Sequence, residues 1–411
     1  MPGIRLESGW FRRFAGRALF VGKEKEKGLV PAAEPGKAVK ITYAFLIYAL
    51  ICCCVAGCTE KKSEPVKIGL SINLSGRGGT AGGYIRDGAM LAVDAINMEG
   101  GVNGHKIELL VKDDQNTRKG ILDADSTLID SGVPVIIGHS YSENTMLAYP
   151  FVTSHDTLLL TPYTATTKLS GIDDFFVRTA VDNKRYGKAL AKLLKKRNAE
   201  RVSFLMDLSN RSFVEDYLEQ TVRYYHGKYR AVRFDSRKNM AWNELVEGLL
   251  ADDPDTIVLL TEVTMTGIAA QKLRQAGYGG HLAGTIWAQT PDLVRYGADS
   301  VEGMSIITFI APNIKSHEYE WFASRIREKF NSGPTARSVR AYEAVQVIAQ
   351  AMKKCPWPVC ASDLKEALTD TEFETLIGKI FLDEYGDVVR PIYEVVIENG
   401  EFHNRGELTA D

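Results

Sequence analysis

The stretch VKIGLSINLSGRGGTAGGYIRDGAMLAVDAINMEGGVNGHKIELLVKDD, residues 66–114, indicates the fold of this chain. It begins with a short apolar run, Val66–Ile72, which is typical of a buried strand. Apolar residues then recur at helical spacing between Ala89 and Ile96, until a turn rich in Gly and Asn ends the helix. A second apolar run, His105–Lys112, follows that turn. The stretch therefore predicts a strand, a helix and a second strand.

The same alternation continues through the rest of the chain. A helix is predicted at 118–131, and further short apolar strands are predicted at Val133–Ile137, Leu158–Leu160, Val202–Met206, Thr256–Leu260, His281–Gly284 and Ser305–Phe309. Short strands that alternate with helices indicate parallel sheets covered on both faces, so we predict an α/β fold. Ligands of such sheets bind in the crevice at the carboxyl ends of the strands.

Length and charge set the first limits on function. The chain has 411 residues, which is enough for two cores, because single cores stop growing at about 250–300 residues. Lys and Arg total 50 against 52 Asp and Glu, a formal net charge of −2. Without a basic excess there is nothing to drive binding to a phosphate backbone, so we expect no nucleic-acid partner.

The sequence contains no recognisable cofactor or catalytic motif. The glycine-rich loop at 73–83 matches neither GxxxxGK[ST] nor GxGxxG, and its glycines are explained by turns and close backbone approach. The seven histidines lack the spacing of metal ligands, and HxxxH, CxxC and GxSxG motifs do not occur. We therefore expect no nucleotide, no metal ion, no other cofactor and no catalytic residue.

The N-terminal region is typical of an export signal. Residues 41–57, ITYAFLIYALICCCVAG, carry no charge and follow two lysines. A positive flank, a short apolar core and small residues before Cys58 are the parts of a secretory signal. The sequence Val-Ala-Gly-Cys ending at Cys58 resembles a bacterial lipobox, whose cysteine is lipidated and anchors the protein to a membrane. An uncleaved membrane-spanning anchor is the alternative, although the run is short for one.

On this interpretation residues 1–58 are an N-terminal extension followed by a lipoprotein signal peptide, and residues 59–65 are a polar tether. Residues 1–38 carry mixed charges, and signals normally begin closer to their apolar core. We interpret this extension as an upstream misassignment of the start, with translation beginning near Val39. The mature chain is predicted to be exported, either periplasmic or at the cell surface.

The ordered motifs of the chain resemble one family. The stretch GYIRDGAMLAVDAINMEGGVNGHKIELLVKDDQNTRKG at 83–120, then IDSGVPVIIGHSYSENT, LLLTPYTATTKLS and IGKIFLDEYGDVVRPIYEVVIENGEF, are similar to the branched-chain amino-acid-binding proteins. These are type I periplasmic binding proteins that serve ATP-driven (ABC) importers. The resemblance covers essentially all of residues 66–403.

The resemblance implies two Rossmann-like lobes joined by three crossovers, with the ligand in the cleft between them. We expect one lobe to comprise residues 66–181 with 311–379, and the other to comprise 182–310 with 380–411.

The family also implies where the ligand's carboxylate is held. In its members a serine hydroxyl in the loop after IIGH and groups in a following SPAAT-like loop bind that carboxylate. The first position corresponds to Ser142, and the second loop to Thr161–Ala165, which includes Tyr163, Thr164 and Ala165. An alternative role for Ser142 is to cap the following helix, and the two roles are compatible.

Three positions depart from the family pattern. Leucine, isoleucine and valine binders carry an aromatic residue where this chain has Ala81. The threonine of the SPAAT-like loop is replaced by Ala165, which Thr164 and Thr166 flank. Ile286 replaces the acid that pairs with the ligand's ammonium, and Trp287 lies beside it. Because a buried ammonium without a carboxylate is costly, we do not expect a simple zwitterionic amino acid unless Glu262 or Asp207 takes over that role.

Two aromatic residues and two cysteines are further candidates for specific roles. Trp287 and Tyr163 are candidates for an aromatic wall of the site, with ordinary packing as the alternative. Cys355 and Cys360 frame the segment PWPV, and in an oxidising compartment we expect them to form a structural disulfide, with free thiols as the alternative.

The sequence therefore favours a binding function without catalysis. We expect a monomer that captures a small molecule (an amino acid or a related carboxylate or amide) by lobe closure and delivers it to an ABC permease and ATPase. We also expect the protein to be attached to a membrane through lipidated Cys58. A sensor lipoprotein that signals to a membrane receptor is the first alternative, and a cell-surface enzyme on the same scaffold is the second.

Overall fold

The apolar runs of the sequence form two separate sheets in the computed structural model, which describes residues 63–76, 78–312 and 314–408. The first sheet is parallel throughout and has the order β2-β1-β3-β4-β5. Its strands are β1 (Val66–Ile72), β2 (Ile107–Asp113), β3 (Val135–Gly138), β4 (Leu158–Thr161) and β5 (Phe176–Arg178). The central strands are buried along their whole length, because helices cover both faces.

The second sheet has the order β15-β14-β10-β9-β8-β6-β7. Its parallel strands are β6 (Arg201–Asp207), β7 (Lys228–Phe234), β8 (Thr256–Leu260), β9 (His281–Thr285) and β10 (Ser305–Thr308). Two strands from the end of the chain, β14 (Tyr393–Glu398) and β15 (Glu401–Glu407), extend it in antiparallel fashion. The predicted α/β fold with parallel sheets in two lobes is confirmed.

Helices follow most of the parallel strands. They are α1 (Gly79–Met98), α2 (Arg118–Asp130), α3 (Ser142–Thr153), α4 (Asn183–Lys196), α5 (Arg211–Val222), α6 (Trp242–Leu250), α7 (Val263–Gln275), α8 (Pro291–Gly297), α9 (His317–Phe330), α10 (Ala336–Met352) and α11 (Ala361–Leu368). We call the part built on the first sheet, with α1–α3 and α9–α11, the first lobe. The second lobe is built on the second sheet, with α4–α8.

A small antiparallel sheet adjoins the first lobe. It consists of β11 (Thr371–Thr375), β12 (Gly378–Leu382) and β13 (Val388–Val389). The backbone N–H of Arg178, in β5, donates to the Gly386 carbonyl at 2.9 Å. Residues 380–389, which the sequence assigned to the second lobe, are thus hydrogen-bonded to the first, and we propose that the chain returns to the second lobe at 390–392.

Three connections pass between the lobes. The first joins β5 to α4, the second joins β10 to α9, and the third joins β13 to β14. The parallel strands of both lobes end toward the cleft, where the loops after them provide side chains.

Helix α10 is held against α1 by a backbone contact that only glycine permits. A Cβ atom on Gly88 would lie 2.1 Å from the carbonyl oxygen of Ser338. Ser338 is in the first turn of α10, where it forms a capping box with Thr335. The position of this helix end is therefore fixed by close packing on one side and by its cap on the other.

The predicted disulfide between Cys355 and Cys360 is not formed in the structure, where both thiols are free. The Cys355 thiol packs against the core and donates to the Ala351 carbonyl at 3.5 Å, and burial raises its pKa to about 11. Cys360 is the N-cap of α11, and its sulfur lies 2.9 Å from the Asp363 carboxylate. The two sulfurs thus interact with different helices, which corrects the expectation from the sequence.

The predicted signal peptide, the lipidated Cys58 and most of the tether lie outside the described residues. Within the part of the chain that the structure describes, no helix is both long and apolar enough to cross a membrane.

Candidate ligand-binding cleft

The loops at the carboxyl ends of the strands enclose a cleft with two adjoining cavities. The outer cavity has a volume of about 370 Å³, and the inner recess has a volume of about 30 Å³. Trp287 and Arg337 line both. Pockets for small organic ligands usually measure about 300–1,000 Å³, so the outer cavity has the size for such a ligand and the recess has room only for one small group.

Both lobes contribute side chains to the recess. The first lobe contributes Ser140, Tyr163, Ala165, Arg337 and Arg340, and the second lobe contributes Tyr186, Asn210, Phe213, Ile286 and Trp287. The first lobe therefore supplies both charged groups, whereas the second supplies mainly aromatic and apolar surface. This chemical difference between the two walls is the main feature of the cleft.

The aromatic wall of the second lobe is held by local structure. Trp287 lies in a short 3-10 turn, Ile286–Ala288, directly after β9. Its backbone N–H donates to the Thr285 hydroxyl at 3.3 Å, which fixes the turn. The Trp287 ring packs edge-on against Phe213 of the same lobe, with 5.7 Å between ring centroids, and against Tyr141 of the first lobe at 6.1 Å.

Several residues singled out from the sequence line these cavities. Ala81 lines the outer cavity, and Tyr163, Ala165, Ile286 and Trp287 line the recess. The Tyr163 hydroxyl donates to the Arg337 carbonyl at 2.8 Å, and burial raises the pKa of this phenol. Tyr163 is therefore tied to the start of α10.

The structure places Ser142 and Thr164 behind the cleft wall. The Ser142 hydroxyl is buried and accepts the Ala165 backbone N–H at 3.2 Å, and the N-cap of α3 is Tyr141 instead. The Thr164 hydroxyl is 2.6 Å from that of Thr145. Neither residue is among those that line the two cavities, so their visible role is to hold the two first-lobe loops together.

Sequence reasoning missed Arg337 and Arg340, which lie three residues apart in the first turns of α10. Their side chains are on one face of the helix, since residues three apart are neighbours on a helix surface. A signal was present in the sequence: two arginines near the start of an otherwise largely apolar helix, ARSVRAYEAVQVIAQAM. Buried arginines are rare unless paired, so such a pattern points to a partner elsewhere.

The Arg340 guanidinium is almost wholly buried, with 6% of the residue exposed. It donates to the Pro162 carbonyl and lies over the rings of Tyr163 and Phe309, at 4.6 and 5.2 Å from the ring centroids. Burial lowers the pKa of Arg340 to about 10, with the nearby Arg337 acting in the same direction. Arg340 therefore remains a cation at neutral pH.

The acids suggested as ammonium partners lie outside the recess. Glu262 lines the outer cavity, where its carboxylate caps α7 by accepting the backbone N–H groups of Thr264 and Met265 at 3.2 and 3.1 Å. Asp207 is fully buried, accepts from Ser209 and Ser236, and is not among the cavity-lining residues.

The two lobes contact each other directly across the cleft. Tyr84 of the first lobe donates to the Asp292 carboxylate of the second at 3.3 Å, and this acid raises the pKa of the Tyr84 phenol further than burial alone. Glu143, at the start of α3, accepts the Ser212 backbone N–H of the second lobe at 2.9 Å and also its hydroxyl. The lobes are thus held in a closed arrangement around the cavities.

Comparison with known proteins identifies the family. The sequence profile of the family described as "Periplasmic binding protein" matches residues 65–401. The chain belongs to the periplasmic binding protein family. The resemblance noted from the sequence is confirmed, and this family is one of binding proteins rather than of enzymes.

Other periplasmic binding proteins share the sequence or the fold over most of their length. The Leucine-, isoleucine-, valine-, threonine-, and alanine-binding protein of Pseudomonas aeruginosa is 24% identical over 353 residues, which cover 79% of this chain and 88% of that protein. A leucine binding protein of Thermotoga maritima superposes with a TM-score of 0.76 at 21% identity, covering 83% of this chain and 98% of that one. A solute binding protein of an R. palustris ABC transporter, solved with benzoate, superposes with a TM-score of 0.75 at 16% identity. The match covers 84% of this chain and 98% of that one.

Proposed function

We propose that this chain is the solute-binding component of an ABC importer, which captures a small organic molecule in the cleft and presents the closed form to a membrane permease. The observation that carries the proposal is the cleft itself: both lobes line the same two cavities and touch across the cleft through Tyr84–Asp292 and Glu143–Ser212. Lobes joined by short connections and closed around a cavity are the structural basis of hinge closure on a ligand.

The names of the similar proteins support this function. One binds leucine, isoleucine, valine, threonine and alanine by name, another binds leucine, and a third was solved with benzoate. Each of these ligands carries a carboxylate, and most of them have a compact apolar body. We therefore place the ligand of this chain among amino acids, related small carboxylates and their amides, bound without chemical change.

We further propose that the protein acts outside the cytoplasm and is attached to a membrane through lipidated Cys58. The support is the uncharged run at 41–57 and the small residues before that cysteine. Mass spectrometry of the protein purified from membranes tests the proposal. A mature N-terminus at a diacylated Cys58 is expected, and a peptide from residues 1–57 in the mature protein would contradict it.

Ligand binding can be tested with the purified full-length protein. A thermal-shift screen of amino acids, amides and small carboxylates should give at least one compound that raises the melting temperature. A ligand at 100 times its dissociation constant adds about 2.7 kcal/mol to the free energy of unfolding, which is easily detected. The same compound should be recovered unchanged after prolonged incubation, whereas its turnover would favour an enzyme instead.

Lobe closure can be followed by tryptophan fluorescence. Trp287 lines the cleft, whereas Trp242 lies at the start of α6 and lines neither cavity. Ligand addition should change the tryptophan emission of the wild type and of Trp242→Phe, but not of Trp287→Phe. A ligand-induced change that persists in Trp287→Phe would place the binding site outside this cleft. Loss of uptake of the labelled ligand on deletion of the gene tests the link to an importer.

A further inference from the structure

The recess contains hydrogen-bond donors without acceptors. Among the described residues, Arg340 Nε, Trp287 Nε1 and the Tyr186 hydroxyl are buried and have no hydrogen-bond partner. All three belong to side chains that line the recess, and each residue is at least nine-tenths buried. Buried polar groups are normally hydrogen-bonded, and leaving one unsatisfied costs about 1–3 kcal/mol. Because N–H groups of Arg and Trp only donate, the missing partner is an acceptor.

The charge of the residues that line the recess also indicates a hydrogen-bond acceptor, and a negatively charged one. Arg337 and Arg340 form no ion pair with any described residue, and no carboxylate lines the recess. The acid nearest in sequence, Glu343, is already engaged by Arg390 through two contacts of 2.8 Å. Two cations therefore line a small recess to which the protein contributes no anion. A buried charge is stable when it is paired, so the space suits an anionic group of a ligand.

We propose, on the basis of the solute-binding function given above, that the recess binds the carboxylate of a ligand that carries no ammonium beside that carboxylate. The guanidinium groups of Arg337 and Arg340 pair with the carboxylate, while Trp287 and Tyr186 donate to its free lone pairs. The carbon body of the ligand occupies the outer cavity, between Tyr141 and Ala81. The substrate class is thus a simple carboxylic acid, aromatic or branched aliphatic, rather than an α-amino acid.

The residues that line the two cavities disfavour a ligand with an ammonium next to its carboxylate. An ammonium next to the carboxylate would lie beside two guanidinium groups and against Ile286, which offers no acceptor. The carboxylates of the outer cavity are engaged: Asp292 pairs with Arg295 at 3.0 Å and accepts from Tyr84, and Glu262 caps α7. Like charges and an unpaired cation both weaken binding, so the α-amino acid is the poorer ligand.

Matched compounds test this substrate class on the full-length protein. Each set shares one carbon skeleton: 3-phenylpropanoate, L-phenylalanine and 3-phenylpropanamide form one, and 4-methylpentanoate, L-leucine and 4-methylpentanamide form another. Benzoate and benzamide complete the panel. Calorimetric titration should show the acid binding best within at least one set. Loss of charge-assisted hydrogen bonds should weaken its amide about 10- to 100-fold, and we expect a similar loss for the amino acid.

Arginine variants connect the preference to the recess. Arg337→Met and Arg340→Met should each weaken the acid about 10- to 100-fold while leaving the amide nearly unchanged. Arg340→Lys keeps the charge but not the planar fork, so its loss should be smaller. Arg325→Met is the matched control, because Arg325 is an exposed first-lobe arginine paired with Glu328 on α9, and it should bind the acid like the wild type. If Arg340→Met does not fold, the affinities of Arg337→Met and Arg340→Lys for the acid and the amide decide the question.

The outcomes separate the two proposals. An amino acid or amide that binds as tightly as the acid of its own set leaves the solute-binding function standing and overturns the carboxylate assignment. Equal losses in Arg325→Met and Arg337→Met also overturn it, because net charge alone would then explain the effect. If no compound of the panel binds, the simple-carboxylate class is overturned, whereas the solute-binding function is decided by the broader thermal-shift screen described above.

Discussion

Arg390 and Glu343 form a bidentate ion pair at the point where the three connections between the lobes meet. Both terminal guanidinium nitrogens of Arg390 lie 2.8 Å from an oxygen of the Glu343 carboxylate. The same guanidinium donates to the Thr179 carbonyl of the first connection at 3.3 Å and lies 4.5 Å from the ring centroid of Phe309 in the second. Arg390 itself belongs to the third. One side chain therefore contacts all three hinge segments, while its partner is anchored in α10.

We expect Arg390→Met to lower the free energy of unfolding by about 3–5 kcal/mol, because Glu343 would be left as a buried anion without a partner. Denaturant unfolding followed by circular dichroism measures the change. The double variant Arg390→Met with Glu343→Leu should recover most of the loss, since buried ion pairs can be replaced by apolar groups at little cost. A single variant within 1 kcal/mol of the wild type would show that the pair does not stabilise the hinge.

Close packing of α1 on α10 makes Gly88 a positioning residue for the recess. In Gly88→Ala the new Cβ meets the Ser338 carbonyl, so the first turn of α10 must shift and carry Arg337 and Arg340 with it. We expect a stability loss of about 1–3 kcal/mol together with weaker binding of the ligand acid. Gly83→Ala is the control on the same helix, because its Cβ meets nothing within 4 Å and alanine favours helix by up to about 1 kcal/mol. Unchanged affinity in Gly88→Ala would contradict this coupling.

Glu143 should affect ligand affinity without touching the ligand. Its carboxylate accepts from Ser212 at the start of α5, so it joins the two lobes across the cleft, and we expect the contact to break when the lobes separate. Glu143→Ala should therefore reduce the population of the closed form and weaken apparent affinity about tenfold. Calorimetric titration measures the change against Glu219→Ala, whose exposed carboxylate pairs with Arg223 within the second lobe. An equal effect of both substitutions would argue against a closing contact at Glu143.

His281 should make the second lobe sensitive to acid. Burial lowers the pKa of this imidazole to about 4, with Arg197 and Arg274 adding to the effect and Glu394 opposing it. Between pH 6.5 and 4 the unfolded chain binds a proton that the folded chain does not, so the free energy of unfolding falls as pH falls through this range. The loss reaches about 3 kcal/mol at pH 4.

Chemical denaturation at pH 7 and pH 4.5 checks the contribution of His281. We expect His281→Gln to lose less stability over this interval than the wild type. His226→Gln, which changes an exposed histidine, serves as the comparison and should follow the wild type. A His281→Gln protein as acid-sensitive as the wild type would mean that other groups account for the pH dependence.

Local sequence predicted the framework because short-range patterns determine it. The helix expected at 118–131 is observed at Arg118–Asp130, and the strand expected at His105–Lys112 is observed at Ile107–Asp113. Apolar periodicity reports directly on which face of an element is buried, so such segments can be identified without tertiary information. Element ends are less well determined, because they depend on turns and caps.

The cleft was less accessible to sequence reasoning because it joins distant parts of the chain. Arg337 contacts Tyr163, which lies 174 residues earlier, and no local pattern connects them. Family resemblance directed attention to the loops after β3 and β4, where Ser142 proves to bond Ala165 rather than to line a cavity. Cys355 and Cys360 show the same limit, because five residues of separation do not reveal that each sulfur has its own helical partner.

The unequal chemistry of the two walls has a kinetic consequence. Both unpaired arginines belong to the first lobe, so an open molecule already presents its positive charge to an approaching anion. Electrostatic attraction therefore acts on the association rate constant, which should fall as ionic strength rises. We expect the aromatic groups of the second lobe to contact the ligand on closure and to lower its dissociation rate constant. With the proposed carboxylate site, capture therefore depends mainly on the first lobe and retention on the second.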